Sequence, residues 1–271
     1  MSKGFKLLRV EYIFSVIVPC LLCIYLNDYD LLSQLWILAG FGFYAITGNT
    51  LNDVIDKRDP NEKDTLERVK GYSSKEILTI SIASFVLGTA CFLNPIFINP
   101  IISVYLIITV LMVIVYCLFK YLVVINQIIL GVSHIFLPWF IVKINAGDIL
   151  LNIFPNISLN EWLILLMVTS IAITGQMLHE MIDGDSLSKL SPKASRLVIW
   201  ISSVLSIAIT IITIIVTGFI IFFPVIVFPV GMMYIFRHPR ANLLGRSSLK
   251  DVGIILGNLF MVFIIILILA S

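Results

Sequence analysis

Runs of about 20 mostly apolar residues recur from one end of this chain to the other, and that is the length a helix needs to cross the hydrocarbon core of a bilayer. The spans read as residues 8–26, 32–51, 77–93, 101–119, 122–142, 162–182, 197–219, 220–236 and 252–270. The break between the seventh and eighth is short, because the apolar run barely pauses between Gly218 and Pro224. Composition agrees: 59% of the 271 residues are hydrophobic and 13% charged, too apolar for an ordinary soluble domain. The expected fold is all-α: a polytopic integral membrane protein with about nine transmembrane helices enclosing a cytoplasm-facing polar cavity. A single membrane-embedded domain is expected over residues 1–271. The first apolar run has no small-residue cleavage site and reads as a span, not a cleavable signal.

Lysine and arginine set the orientation, because they collect on the cytoplasmic side. With the N-terminus inside, nine crossings put every one of the 18 basic residues except Lys143 in inner segments. The C-terminus then lies on the opposite side. The net charge of +2 is a topology signal and no footprint of nucleic acid. Cys20 and Cys23 are spaced like a redox or metal pair, but no second pair or histidine cluster accompanies them. They read as helix-packing residues, as do Cys91 and Cys117. The longest inner loop, about 57–75, is charged and carries Pro60 and Gly71, so part of it is expected to be irregular.

Two ten-residue stretches echo each other. Residues 47–56 read Thr-Gly-Asn-Thr-Leu-Asn-Asp-Val-Ile-Asp, and residues 174–183 read Thr-Gly-Gln-Met-Leu-His-Glu-Met-Ile-Asp. Asn49 and Gln176 keep an amide in place, and Asp53 and Glu180 keep a carboxylate. Each stretch ends a long apolar run. Residues at offsets 0, 3, 4 and 7 share one helix face. Asn49, Asn52, Asp53 and Asp56 occupy those offsets in the second helix, and Gln176, His179, Glu180 and Asp183 in the sixth. Four crossings separate these helices, so they run in the same direction and both patches are expected to face one cavity. The echo also points to an internal four-helix pseudo-repeat. Asp59 and Asp185 extend the patches into the loops.

Ionisable groups in or near a bilayer are costly and mark functional paths. Paired carboxylate patches at a membrane edge point to divalent metals, and metals there point to a diphosphate on a lipid-like substrate. Mg²⁺ suits such a site, because it uses a few carboxylates together with substrate phosphate oxygens. Lys57, Arg58, Arg68, Lys70, Lys120, Lys189 and Lys193 lie on the same side and offer compensating charge. Lys120 sits in a very short loop with Tyr116 one helical turn before it, and Asn126 and Gln127 begin the next helix. No Walker-type phosphate loop is present, and His134, His179 and His238 are too scattered for a zinc site. Ser133 beside His134 has no oriented third group to make a nucleophilic triad.

At these residues the chain resembles the UbiA-type intramembrane prenyltransferases. That family has nine transmembrane helices, a first motif N-D-x-x-D-x-x-x-D after the second, and a second acidic motif after the sixth. Asn52, Asp53 and Asp56 match the first motif, while Asp59 arrives one residue early, with Pro60 in its place. Glu180 and Asp183 match the second, and Asp185 comes two residues early. Arg68-Val69-Lys70-Gly71 looks like a shortened form of the family's R-P-x-x-G stretch, and Tyr116 with Lys120 resembles the end of its fourth helix.

The resemblance implies transfer of an isoprenyl group from an isoprenyl diphosphate to a small, aromatic acceptor, with Mg²⁺ as cofactor. It implies Asn52, Asp53 and Asp56 for one metal and Glu180 and Asp183 for the other, with Asp59 and Asp185 nearby. Asp53, Asp56, Asp183 and Lys120 would carry the catalysis. Arg68, Lys70, Tyr116 and Lys120 would meet the diphosphate. Asn49 and Gln176 sit a turn deeper, where they would reach the acceptor or orient carboxylates, and His179 is a base or a polar cavity residue. Rival readings are a terpene cyclase on the same scaffold, an ion-coupled transporter and a structural membrane protein with a decayed site. The partners implied are the diphosphate, the acceptor and the lipid bilayer, with no nucleic acid.

Overall fold

A computed structural model describes residues 3–60, 62–119, 123–150, 153–183, 187, 190–238 and 247–270. The helices are α1 (Lys3–Leu8), α2 (Phe14–Leu26), α3 (Leu35–Asp56), α4 (Lys63–Arg68), α5 (Ser74–Ile98) and α6 (Ile101–Phe119). They continue with α7 (Val123–Gly131), a π-helical turn (Val132–Phe136), α8 (Leu137–Asn145), α9 (Leu159–Asp183), α10 (Pro192–Thr217), α11 (Val227–Ile235) and α12 (Ser247–Ala270). A two-residue hairpin, β1 (Ile149–Leu150) against β2 (Phe154–Pro155), was not signalled by the apolar pattern.

Among the described residues, seven helices are long and apolar enough to span a bilayer. The second and eighth expected spans fall to α3, whose last turns are polar, and to the shorter apolar stretch Ile220–Ile235. That stretch opens as a 3₁₀ segment, Ile220–Ile226, carrying Pro224, which supplies no backbone N–H. The preceding pause is a helix end: Gly218 caps α10 at φ 73°, a conformation a Cβ would strain. α5 begins three residues before the expected start, because Ser73 and Glu76 form a reciprocal capping box.

The chain divides into two compact units: Met1–Lys120, Val132–Asn156 and Ile254–Ser271 in the first, and Tyr121–Gly131 and Ile157–Gly253 in the second. In the first, α3 and α5 pack closely and antiparallel. A Cβ on Gly88 would lie 2.6 Å from the Tyr44 ring and 3.1 Å from the Gly40 carbonyl oxygen, so only glycine admits this approach. Tyr44 is hydroxyl-bonded to Thr89 at 3.0 Å and stacks on Phe85. Cys20 and Cys23 are buried and form no disulfide, and the Cys23 Sγ lies 3.6 Å from the Trp139 carbonyl oxygen.

In the second unit α10 is inverted relative to a water-soluble helix. Ser195, Ser203, Ser206, Thr210 and Thr213 are buried, while Leu197, Ile201, Leu205, Ile212 and Ile215 are exposed. Lipid is as apolar as leucine, so burying leucine gains little there, and small hydroxyl residues let helices approach and hydrogen-bond. Thr213 donates to the Leu163 carbonyl at 3.2 Å, tying α10 to α9.

Lys143, the one basic residue that the expected topology leaves outside, is compensated within the first unit. Its side chain is 1% exposed and its Nζ lies 2.7 Å from Asp148 Oδ2. Lys143 also donates to Asn27 Oδ1 at 3.2 Å, and the Tyr29 hydroxyl donates to Asp148 at 2.9 Å. Burial alone would raise the Asp148 carboxyl, but hydrogen bonds from Lys143, Tyr29 and Asn156 and the Lys143 charge outweigh it and hold the group below the usual carboxylate range.

Lys143 is buried but the Asp148 side chain is 30% exposed, so removing the carboxylate costs less than the roughly 3 kcal/mol of a fully buried pair, whereas replacing the pair by apolar groups is close to neutral. Asp148→Ala is therefore expected to lower stability in detergent, and the Lys143→Met/Asp148→Ala double substitution to recover most of the loss. The Asp148 contribution is present above the unfolded-state value of about 3.9 and disappears as pH falls through the lower folded-state value. Unfolding measured from pH 7 to pH 3 should thus show a shallower acid loss in Asp148→Asn than in the unsubstituted protein.

Candidate functional site

The two echoed stretches are structural echoes too, each within its own unit. Thr47 Oγ1 bonds back to the Phe43 carbonyl at 2.9 Å and reaches the Ser81 carbonyl of α5 at 3.4 Å, while Ser81 Oγ donates to the Thr47 carbonyl at 3.1 Å. Thr174 Oγ1 bonds back to the Ser170 carbonyl at 2.9 Å and meets the Ser202 and Ser206 hydroxyls of α10 at 2.6 and 3.0 Å. Each threonine thus ties its helix to the next long helix. The glycines that follow sit at helix contacts: a Cβ on Gly48 would lie 3.4 Å from Val113 of α6, and one on Gly175 would lie 3.3 Å from Phe228 of α11. These ties fix the rotation of α3 and α9, and with it the direction of the polar face one turn later.

In the first unit Asp53 is fully buried. Arg68 grips it bidentately, Nη2 to Oδ1 at 2.6 Å and Nε to Oδ2 at 3.0 Å, and Arg9 Nη1 lies 3.8 Å from Oδ1. Planar two-point pairing of this kind is the strongest guanidinium–carboxylate arrangement. Arg68 also donates to Thr65 Oγ1 at 3.1 Å. Asp56 is buried and accepts from Asn52 Nδ2 at 2.6 Å. The Asn52 Oδ1 is buried with no hydrogen-bond partner among the described residues. Asn49 Nδ2 donates to the Arg9 carbonyl at 3.5 Å.

The loop that delivers Arg68 is built, not slack. α4 ends at Arg68, and the next residue, Val69, is buried in a cluster with Leu7, Val54 and Ile77. Gly71 turns the chain at φ 95°. Lys57 donates to the Tyr72 carbonyl, which leads into the Ser73 cap of α5. Asp59 and Lys70 are exposed. Tyr116 is half-buried on the last turn of α6, one turn beyond the Val113 that meets Gly48.

In the second unit the end of α9 has two faces. Leu178, Met181 and Ile182 pack with Ile199, Met232 and Phe236. Gln176, His179, Glu180 and Asp183 fall on the other face. Glu180 is 1% exposed and accepts from Gln127 Nε2 of α7 at 2.8 Å. Gln176 and His179 are half-buried. Lys120, Asp185 and the side chain of Asp183 lie outside the described residues. A hollow of about 430 Å³ is lined by Lys193, Arg196, Leu197 and Trp200 and by none of the patch residues.

Among the described residues no three His, Cys, Asp or Glu side chains converge as a ready-made metal site. Each patch offers instead one or two buried carboxylates and a neighbouring amide oxygen. That donor set is hard and sparse, which suits a cation that takes the rest of its shell from water and phosphate. Bidentate pairing with Arg68 is compatible with this, because a carboxylate presents about four lone-pair positions.

The chain matches the profile of the UbiA prenyltransferase family over residues 16–251 and belongs to that family. No curated protein matches it. Among solved structures, a UbiA homolog from Archaeoglobus fulgidus bound to GPP and Mg²⁺ is 16% identical with a TM-score of 0.69, covering 98% of this chain and 99% of that one. The same homolog bound to DMAPP and Mg²⁺ is 15% identical at TM-score 0.69, with 100% of both chains covered. A structure described as giving insights into digeranylgeranylglyceryl phosphate synthase in membranes is 18% identical at TM-score 0.59, covering 99% of each chain. At these identities the likeness is one of fold.

Removing the guanidinium from a buried carboxylate is expected to cost about 3 kcal/mol. Arg68→Ala should therefore lower unfolding stability in detergent by about that much. Lys70→Ala, two residues on and exposed, should stay within about 0.5 kcal/mol. Equal effects of the two substitutions would contradict the pairing.

Proposed function

We propose that this UbiA-family chain transfers an isoprenyl group from an isoprenyl diphosphate to a small acceptor, with its acidic patches serving metal-assisted departure of the diphosphate on the cytoplasmic side. The observation that carries this reading is the pair of buried carboxylates, Asp53 and Glu180, at matching positions of the two echoed helix ends. The solved relatives bound to GPP or DMAPP with Mg²⁺ support it.

The allylic carbon–oxygen bond breaks with its electron pair leaving on the diphosphate. An allylic cation remains, and the acceptor attacks it and releases a proton. Asn52, Asp53 and Asp56 would hold one Mg²⁺, and Glu180 and Asp183 the other. Mg²⁺ bound there supplies neutralisation of the charge that builds up on the departing diphosphate. The chain's own work is placement. Arg68 holds the Asp53 carboxylate in place, and Asn52 does the same for Asp56. Arg68, Lys70 and Lys120 add positive charge at the leaving group. Tyr116 would meet the diphosphate with them, Asn49 and Gln176 would reach the acceptor or orient carboxylates, and His179 would be a base or a polar cavity residue. Apolar walls exclude the water that would otherwise capture the cation.

Asp56→Ala and Asp183→Ala are each expected to abolish product formation by purified protein given allylic diphosphates, Mg²⁺ and a set of aromatic acceptors, with unfolding temperatures close to the unsubstituted value. Wild-type turnover by either variant would sink the site assignment. A cyclised product formed without any acceptor would replace transfer by cyclisation.

A further inference from the structure

α7 carries two adjacent amides, Asn126 and Gln127, that are 3% and 7% exposed. The bond from Gln127 Nε2 to Glu180 Oε1 at 2.8 Å fixes the orientation of that amide, since the flipped form would set a carbonyl oxygen against a carboxylate. The other end of the amide, Oε1, is buried with no hydrogen-bond partner among the described residues. A buried acceptor left unsatisfied is costly, so an orphan of this kind asks for a ligand.

The first patch shows the same device. Asn52 donates to Asp56 and keeps its own Oδ1 buried without a partner. The echo places His179 where the first patch has Asn52. The second patch therefore has no amide at that offset on α9, and Gln127 brings one from α7.

We propose that Gln127 is a cation ligand of the second patch: Oε1 coordinates a hard divalent cation beside Glu180, while Nε2 holds that carboxylate in place. This rests on the reading of the patches as a metal-assisted diphosphate site. Carboxylate and amide oxygens together suit Mg²⁺ or Mn²⁺. Asn126 is not assigned to the same ion, because neighbouring residues on a helix diverge by about 100°.

The test is Mn²⁺ binding followed by electron paramagnetic resonance in the presence of inorganic diphosphate, alongside the Mg²⁺ concentration for half-maximal turnover. Gln127→Met keeps the size and removes both amide functions. Gln127→Glu keeps an oxygen ligand and removes the donor. Metal-supporting residues are worth about 10–100-fold in affinity. Gln127→Met is expected to raise both half-saturation values about 10-fold or more, and Gln127→Glu to bind Mn²⁺ at least as tightly as the parent. Parental Mn²⁺ binding by Gln127→Met overturns the proposal. Equal loss in both variants also overturns it, because only the hydrogen bond to Glu180 would then matter. If the parent protein itself binds no Mn²⁺ with diphosphate, the reading of the patches fails first and this assignment with it.

Discussion

A carboxylate with no access to water has to be neutralised by the fold, and Asp53 is such a group. Its oxygens are held by Arg68 from one side and approached by Arg9 from another. Much of the first unit around it follows from that requirement. α4 and the buried Val69 exist to deliver one guanidinium. Arg9 takes a left-handed backbone at φ 49°, between α1 and the next helical turn, and its guanidinium lies 4.3 Å from the centre of the Tyr12 ring. Glu180 meets the same requirement differently, with Gln127 as a neutral donor.

The echoed stretches place these carboxylates by one construction used twice. A threonine locks each helix to its successor, a glycine lets a neighbour close in, and an amide and a carboxylate follow on the next turn. Rotating either helix by one residue would swing the carboxylate about 100° away. The polar threonine and serine contacts are therefore part of the site's precision, although they touch none of its charged groups.

The membrane class was legible because hydrophobic length is a one-dimensional property, and α6, α10 and α12 all fall where their apolar runs lie. The apolar run of α3 ends near residue 51, while the helical spacing of Asn49, Asn52, Asp53 and Asp56 carries the helix on to Asp56, where the structure ends it. The patch residues themselves were visible through their 3.6-residue spacing and the echo. Their partners were not. Arg68 lies 15 residues from Asp53 and Gln127 lies 53 from Glu180, and only tertiary folding brings them together. Arg9 was visible only as one more inner basic residue. Lys143 looked like an exception to the charge rule until its pairing with Asp148 explained it.

The central claim is that the acidic patches serve metal-assisted departure of an isoprenyl diphosphate. Its most direct test is diphosphate release by the purified, folded protein from allylic isoprenyl diphosphates of several chain lengths, with Mg²⁺ or with a chelator. The account predicts release that requires Mg²⁺ and stops with chelation. No release from any chain length, or release indifferent to the metal, would contradict it.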